Sequence, residues 1–321
     1  MTEGPPTLLA LGETMLRLGT KPGERLETAD SLDVHVGGAE SNVAVATQNL
    51  GIDATWCSKL PRSPLGRRVV RALRASNVSV AVEWEDKGRL GTYYIDPGGP
   101  PRGTSIVYDR ADSAVTRMTP SDLPSKAIRE SDAVFTSGIT PALSETLLET
   151  TESLLESGTR AGTTTVFDVN YRSKLWDARE AKGVFRSLLP HVDVLVIADR
   201  DAETVLGRDS DPAAVASSLR DEYDCSIVVV TAGDAGAVAA HRDGIVEQPV
   251  VESDTLDPIG TGDAFVGGFL AWYLRGESID RALRAAAATA SLKRTIRGDM
   301  AIVTREDVIE AMDRRDRAID R

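Results

Sequence analysis

Apolar and polar positions change rhythm twice in the first fifty residues. LLALGETMLRLG (8–19) is a near-continuous apolar run broken at Gly12-Glu13, and it predicts a first strand that runs on beyond the break. SLDVHV (31–36) alternates and predicts a second strand. In GGAESNVAVATQNLG (37–51) the period becomes helical. Val43, Ala44, Ala46, Thr47 and Leu50 fall at helical spacing, and Gly51 can cap the end. ATWCSKL (54–60) predicts a short strand. SPLGRRVVRALRASNV (63–78) predicts a helix with Ser63 at the N-cap and Pro64 at its first position.

Residues 80–110 break the pattern. VAVEWE, GTYYID and TSIVYD read as short strands, with the turn-rich PGGPPRG (97–103) between the last two. Parallel strands need crossover helices, and none is apparent between these three. The region therefore predicts a small antiparallel sheet projecting from the main body. From residue 132 the rhythm is regular. DAVFTSG, TTVFDVN, DVLVIAD and SIVVVTAG are apolar runs of strand length, suited to burial on both faces. PALSETLLETTESLLESG and AREAKGVFRSLLP supply helices between them. This alternation predicts a doubly wound, mostly parallel sheet. AVAAHRDGIVEQPV (237–250) predicts a hairpin about Asp243-Gly244, and two long helices close the chain.

Bulk properties narrow the classes. The 321 residues are 41% hydrophobic, enough for one large α/β domain with or without a small appendage. No apolar run reaches the ~18 residues of a membrane span. MTEGPPTLLALGE lacks a basic segment before its apolar stretch and does not read as a secretory signal, so a cytoplasmic protein is expected. Cys57 and Cys225 form no CxxC pair and read as buried thiols. His35, His191 and His241 show no metal-ligand spacing. A formal charge of −12 argues against nucleic acid as a partner. Only 7 of the 37 basic residues are lysine. An acidic chain poor in lysine fits adaptation to molar salt; a GC-rich genome would also favour arginine.

The densest candidate chemistry is DPIGTGDAF (257–265). Open parallel sheets bind ligands at the carboxyl ends of their strands, where helix N-termini present unpaired N–H groups and partial positive charge. Gly260, Thr261 and Gly262 lie at such a helix start and let the backbone approach an anion, including a phosphoryl group in transfer. No lysine follows, so this is not a P-loop. Asp263 at the far end would repel a resting anion but is placed to accept a proton from a hydroxyl attacking phosphorus. The same residues also suit a tight turn with an aspartate favouring the helix dipole.

GGAESN (37–42) resembles the first signature of the ribokinase-like (PfkB) sugar kinases, and DPIGTGDAF resembles the second. SGITPALS (137–144), DVNYRSKLW (168–176), TAGDAG (231–236) and RGD (297–299) extend the likeness over nearly the whole chain and toward the 2-keto-3-deoxygluconate kinase branch. The fold this implies is α/β: a ribokinase-like doubly wound, mostly parallel sheet flanked by helices, with a small antiparallel β lid. One domain would span 1–321, with the lid formed by about 13–36 and 88–111.

The resemblance implies that Asp263 is the catalytic base and that the N–H groups of Gly260, Thr261 and Gly262 form an anion hole. It implies a sugar pocket of Gly38, Asn42, Tyr93, Tyr108, Arg110, Asn170, Arg172, Asp263 and Asp299. It implies a nucleotide turn with Thr231, Gly233 and Gly236, joined by Gly260, Thr261 and Gly262. ATP and Mg²⁺ follow as cofactors, the ion riding on the nucleotide phosphates without a protein cage. The expected activity is transfer to the terminal (C6) hydroxyl of 2-keto-3-deoxygluconate, or of its galactonate-derived epimer. Arg110 and Arg172 would hold the carboxylate, since a planar fork suits that group.

A lid pairing between subunits would make a homo-oligomer. There are departures. Where the family often has Asn-x-x-Glu, this chain reads ADRD, with Ala198 and Asp201; Pro258-Ile259 follows Asp257 where Thr is common. A kinase for a neutral sugar such as fructose, or for a nucleoside, is the nearest alternative. A non-catalytic sugar-binding regulator on the same fold is the alternative from another class. A dinucleotide-dependent oxidoreductase ranks behind both, because no GxGxxG follows the first strand. The charge pattern predicts that the melting temperature rises between dilute buffer and about 2 M KCl, where carboxylate repulsion is screened. A melt indifferent to salt would count against adaptation.

Overall fold

The computed structural model describes residues 4–98 and 101–319. Gly99 and Pro100, in the predicted tip 97–103, lie outside them, as do the first three residues of the N-terminal stretch. The chain runs β1 (Thr7–Leu11), β2 (Met15–Gly19), β3 (Asp33–Gly37), α1 (Ala39–Asn49), β4 (Asp53–Pro61), α2 (Pro64–Ala75) and β5 (Ser79–Glu85). Next come β6 (Thr92–Asp96), β7 (Ser105–Asp109), α3 (Ser125–Glu130), β8 (Ala133–Ser137), α4 (Glu145–Ala161) and β9 (Thr164–Asp168). Then follow α5 (Ala178–Leu188), β10 (Val194–Ala198), the short α6 (Asp199–Asp201), α7 (Pro212–Tyr223) and β11 (Ile227–Thr231). The chain closes with β12 (Ala237–His241), β13 (Gly244–Gln248), α8 (Thr261–Tyr273), α9 (Ile279–Arg294) and α10 (Arg305–Ile319).

The large sheet has nine strands in the order β13-β12-β11-β10-β9-β8-β1-β4-β5. All neighbours from β11 to β5 are parallel, and the β12–β13 hairpin adds two antiparallel edge strands. Side-chain alternation divides the core. Leu8, Ala10, Phe135, Val194 and Val196 pack on one face with α1, α8 and α9. Phe167, Leu195, Ile197, Val228 and Val230 pack on the other with α5 and α7, and Leu9, Leu11 and Val134 with α4. Both faces are covered, which explains the near-continuous apolar runs. Order reverses at β1, whose neighbours β4 and β8 carry the sheet off in opposite directions. The carboxyl ends there form the crevice where such sheets take ligands.

The structure corrects several expectations. The run 8–19 is not one strand: after Leu11 the chain leaves the large sheet, and β2 enters a second one. VAVEWE belongs to β5 at the edge of the large sheet, because α2 is the crossover that lets it pair parallel to β4. The small sheet is β3-β2-β6-β7. Two of its pairings are antiparallel as expected, while β2–β6 is parallel, made possible by the long excursion through α1, β4, α2 and β5. Three helices, not two, close the chain.

Most long helices start under a side-chain cap. Ser63 Oγ accepts from the Gly66 N–H at 3.2 Å, Ser144 Oγ from Leu147 at 3.1 Å, and Ser278 Oγ from Arg281 at 3.3 Å. Asp177 and Asp211 cap α5 and α7 in the same way. α1 and α8 differ: each begins at a glycine, Gly38 or Gly260, with no side-chain cap. Their first N–H groups are left for something else. These two helices pack closely. A Cβ on Gly267 of α8 would lie 2.5 Å from Ala46 Cβ of α1. Gly267→Val is expected to lower unfolding stability by about 1–3 kcal/mol through overpacking, measured by denaturant titration.

Candidate active site

The crevice holds one cavity of about 840 Å³, bounded by the carboxyl ends of the large sheet, the starts of α1 and α8, and the small sheet. Residues from the ends of β1, β9, β10 and β11 reach it: Glu13, Asp168, Ala198 and Thr231.

The turn before α8 is shaped by backbone packing. Gly260 has φ +82°, and a Cβ there would lie 1.9 Å from the Asp299 carbonyl oxygen, so only glycine fits. Asp257 holds the turn together; residues 249–256 before it form no strand. Its Oδ1 accepts from the Ile259 N–H at 3.1 Å and its Oδ2 from the Gly298 N–H at 3.0 Å. Arg17 of β2 donates to the same carboxylate, with Nη2 2.7 Å from Oδ2. Burial pushes the Asp257 carboxyl up, but these donors outweigh it and hold it below the usual range. Among the described residues, the N–H groups of Gly260, Gly262 and Asp263 have no protein acceptor, while that of Thr261 points to the Pro258 carbonyl at 3.3 Å. The start of α8 is thus a set of free donors facing the cavity, able to receive an anion.

Asp263 lies in the first turn of α8, and Asn42 of α1 donates from Nδ2 to its Oδ2 at 2.7 Å. Burial pushes the Asp263 carboxyl up to about 6, against the Asn42 hydrogen bond and the Arg172 charge, which favour the anion. A carboxylate so poised can take a proton near neutral pH. Close by, Asp168 is pushed up to about 8 by burial and by the Asp263 charge. Glu40, at the start of α1, is pushed up to about 7 by burial, although Ser137 Oγ at 2.6 Å and Thr140 Oγ1 at 2.8 Å donate to its Oε1.

The small sheet closes one side. Tyr93 donates its hydroxyl to Asp299 Oδ2, and Arg17 Nε lies 3.0 Å from Asp299 Oδ1. Tyr93 and Tyr108 are ring neighbours at 5.8 Å. Arg110, expected to hold a substrate carboxylate, is buried and donates to Glu13 Oε2 through Nε at 2.8 Å and through Nη2. Arg172 has no such partner: among the described residues it donates only to the Tyr171 carbonyl at 3.1 Å, and its charge acts on Asp168, Asp201 and Asp263.

Gly38, Asn42, Tyr93, Tyr108, Arg110, Asn170, Arg172, Gly260, Thr261, Gly262, Asp263, Asp299 and Thr231 all line this cavity. Gly233 and Gly236 do not. They shape the hairpin turn beyond Thr231, where φ is +53° and +98° and a Cβ on Gly236 would lie 2.1 Å from the Gln248 carbonyl oxygen. Sequence reading missed Glu13, Arg17, Glu40 and Asp168 as site residues. Glu13 stood at the break in the first apolar run, and Glu40 and Asp168 lay inside quoted motifs. Arg17 carried no local signal. Asp201, at the ADRD departure, lines the cavity, and its Oδ2 accepts from the Tyr171 N–H at 3.2 Å. The described residues contain no cluster of three or more metal-ligating side chains.

One cavity thus holds free N–H groups that can receive an anion and a carboxylate that can take up a proton. The profile of the pfkB family of carbohydrate kinases matches residues 6–305. The 2-dehydro-3-deoxygalactonokinase of Haloferax volcanii is 53% identical, over 98% of this chain and 99% of its own. The 2-dehydro-3-deoxygluconokinase of Thermoproteus tenax is 32% identical, over 91% and 90%. The crystal structure of the 2-dehydro-3-deoxygluconokinase of Thermotoga maritima superposes with a TM-score of 0.88 at 30% identity, covering 96% of this chain and 98% of that one. The chain belongs to the pfkB family of carbohydrate kinases, and its activity is that of an ATP-dependent sugar kinase.

A reaction that needs the Asp263 carboxylate is active above that group's pKa and lost as pH falls through it. The expected acid limb of kcat/KM lies near pH 6. Asn42→Leu removes a hydrogen bond that favours the anion and should move the limb upward. A wild-type limb at an ordinary carboxylate value, near 4, would contradict this assignment.

Proposed function

We propose that the protein phosphorylates the C6 hydroxyl of a 2-keto-3-deoxy sugar acid, with Asp263 as base. The observation that carries this reading is the pairing of Asp263 with the free N–H groups of Gly260 and Gly262 inside a cavity that also exposes Arg172. The substrate hydroxyl oxygen attacks the γ-phosphorus of ATP and Asp263 takes its proton. The bond from γ-phosphorus to the β,γ-bridging oxygen breaks, and ADP leaves with that electron pair. The transferring group gathers charge on its equatorial oxygens, and N–H donors at the start of α8 meet it there. Mg²⁺ bound to the nucleotide would add charge neutralisation, and Asp201 and Asp168 line the same cavity.

Arg172 is the residue we assign to the substrate carboxylate, because Glu13 already neutralises Arg110. Arg110 then orders Tyr108, over whose ring it lies at 5.6 Å. Asn170, Tyr93, Asn42 and Asp299 would hydrogen-bond the sugar hydroxyls. Thr231 would meet the nucleotide, with Gly233 and Gly236 shaping the turn behind it. The 53% identity to a galactonate-derived acid kinase favours that epimer, with the gluconate-derived acid as a second substrate. The small sheet would act as a lid that excludes water from the transfer. Its exposed Val34 and Val107 suit pairing between subunits. A cytoplasmic site in a high-salt organism agrees with the acidic composition.

A coupled ADP-release assay against both keto acids, fructose, ribose and adenosine tests the substrate class. Turnover on either keto acid at least about tenfold above the neutral compounds is expected. Asp263→Asn should retain sugar binding and lose kcat by about 10²–10⁴-fold. Arg172→Ala should raise KM for the keto acid about tenfold or more, consistent with a lost charged contact. Preference for fructose or adenosine would move the reading to a neutral-sugar or nucleoside kinase. No turnover on any compound would favour a sugar-binding regulator.

A further inference from the structure

Lys293 is fully buried in the last turn of α9 and lies behind the phosphoryl turn, outside the cavity lining. Its Nζ donates to the Asp257 carbonyl at 2.9 Å and to the Ile296 carbonyl at 3.2 Å. Lysines are almost never fully buried unless paired, because the ammonium loses its hydration. Burial pushes this ammonium below the usual range, while the charges of Asp257, Asp299 and Asp263 support it. The chain keeps very few lysines, and at most positions arginine serves as the cation. A compact ammonium on a flexible stem fits between two carbonyls where a planar guanidinium would not.

The location gives the group a task. Pro258 has no N–H; its carbonyl accepts from the Thr261 hydroxyl at 2.7 Å and faces the Thr261 N–H, and the start of the turn is anchored through Asp257, whose own N–H donates to the Arg294 carbonyl at 3.1 Å. Arg17, Ile259 and Gly298 hold its carboxylate. Lys293 holds its carbonyl and ties it to Ile296, which leads into the segment that Gly260 packs against. We propose that Lys293 is a positioning residue for phosphoryl transfer: its ammonium pins the Asp257 carbonyl to Ile296 and so aims the Gly260 and Gly262 N–H groups at the moving phosphoryl group. It touches neither sugar nor nucleotide. Its effect belongs to the transferring state and not to ground-state binding. The inference rests on the kinase reading of the same turn.

The test uses the full-length protein and separates the two readings. In Lys293→Met, sugar-acid and ADP affinities by calorimetry should stay within about twofold of wild type. Binding of ADP with tetrafluoroaluminate, a mimic of the moving phosphoryl group, should weaken about 100-fold, and kcat should fall by a similar factor, the scale of losing one oriented donor. In Lys293→Ala the vacated site offers two carbonyls to a small cation. Methylammonium should then restore kcat and fluoroaluminate binding at least about tenfold, and tetramethylammonium at equal ionic strength should not. Fluoroaluminate binding within threefold of wild type in Lys293→Met would overturn the proposal. So would equal losses in ADP, sugar and fluoroaluminate binding, which mark a general structural role. If Lys293→Met does not fold, the methylammonium response of Lys293→Ala decides alone, and its absence overturns the proposal. Wild type that binds ADP–fluoroaluminate but turns over no sugar acid would sink the substrate assignment and leave the Lys293 comparison intact.

Discussion

The contact between Gly260 and the Asp299 carbonyl governs the geometry of the site. With φ at +82° and no room for a Cβ, residue 260 lets the 257–262 turn lie directly on the segment that follows α9. That stacking turns the first N–H groups of α8 into the cavity and sets Asp263 beside Asn42. It also brings Asp257 and Asp299 close enough for one guanidinium, Arg17, to reach both. Because Arg17 is on β2, the small sheet and the turn share an ion pair.

Charge is arranged in two shells around this contact. Toward the cavity lie carboxylates whose burial favours the protonated form: Glu40, Asp168, Asp201, Asp263 and Asp299. Behind and beside them sit Arg17, Arg110 and Lys293, each already engaged by a carboxylate or by carbonyls. Among the described residues, Arg172 is left facing the cavity without a carboxylate within ion-pair distance. In a chain of net charge −12, a site for anionic ligands needs such locally placed cations, since the global field opposes entry.

Much of this was legible in the chain. The four parallel strands from 133 to 231 were visible because burial on both faces demands unbroken apolar runs. The helix starts at Ser63 and Pro64 were visible because capping chemistry is local. Asp263 and its glycines were visible for the same reason: a helix start, a positive φ and a carboxylate lie within a few residues. The partition of strands between two sheets was not. The break at Gly12-Glu13 does not say that the chain changes sheets there, and the assignment of β5 depends on which distant strand it meets.

The sequence by itself determined the α/β class, most helix starts and the glycine turn before Asp263, because each depends on chemistry between near neighbours; the cavity lining came in part from family resemblance, and Glu13, Glu40 and Asp168 were not read from it. Only the tertiary structure decided how the charges pair. Glu13 neutralises Arg110 across 97 positions, Arg17 reaches Asp257 across 240, and Lys293 reaches the Asp257 carbonyl across 36. Which arginine is free for a substrate, and why Asp257 is needed, follow from those meetings. Electrostatic partnership depends on distance in space, and spacing along the chain carries no record of it.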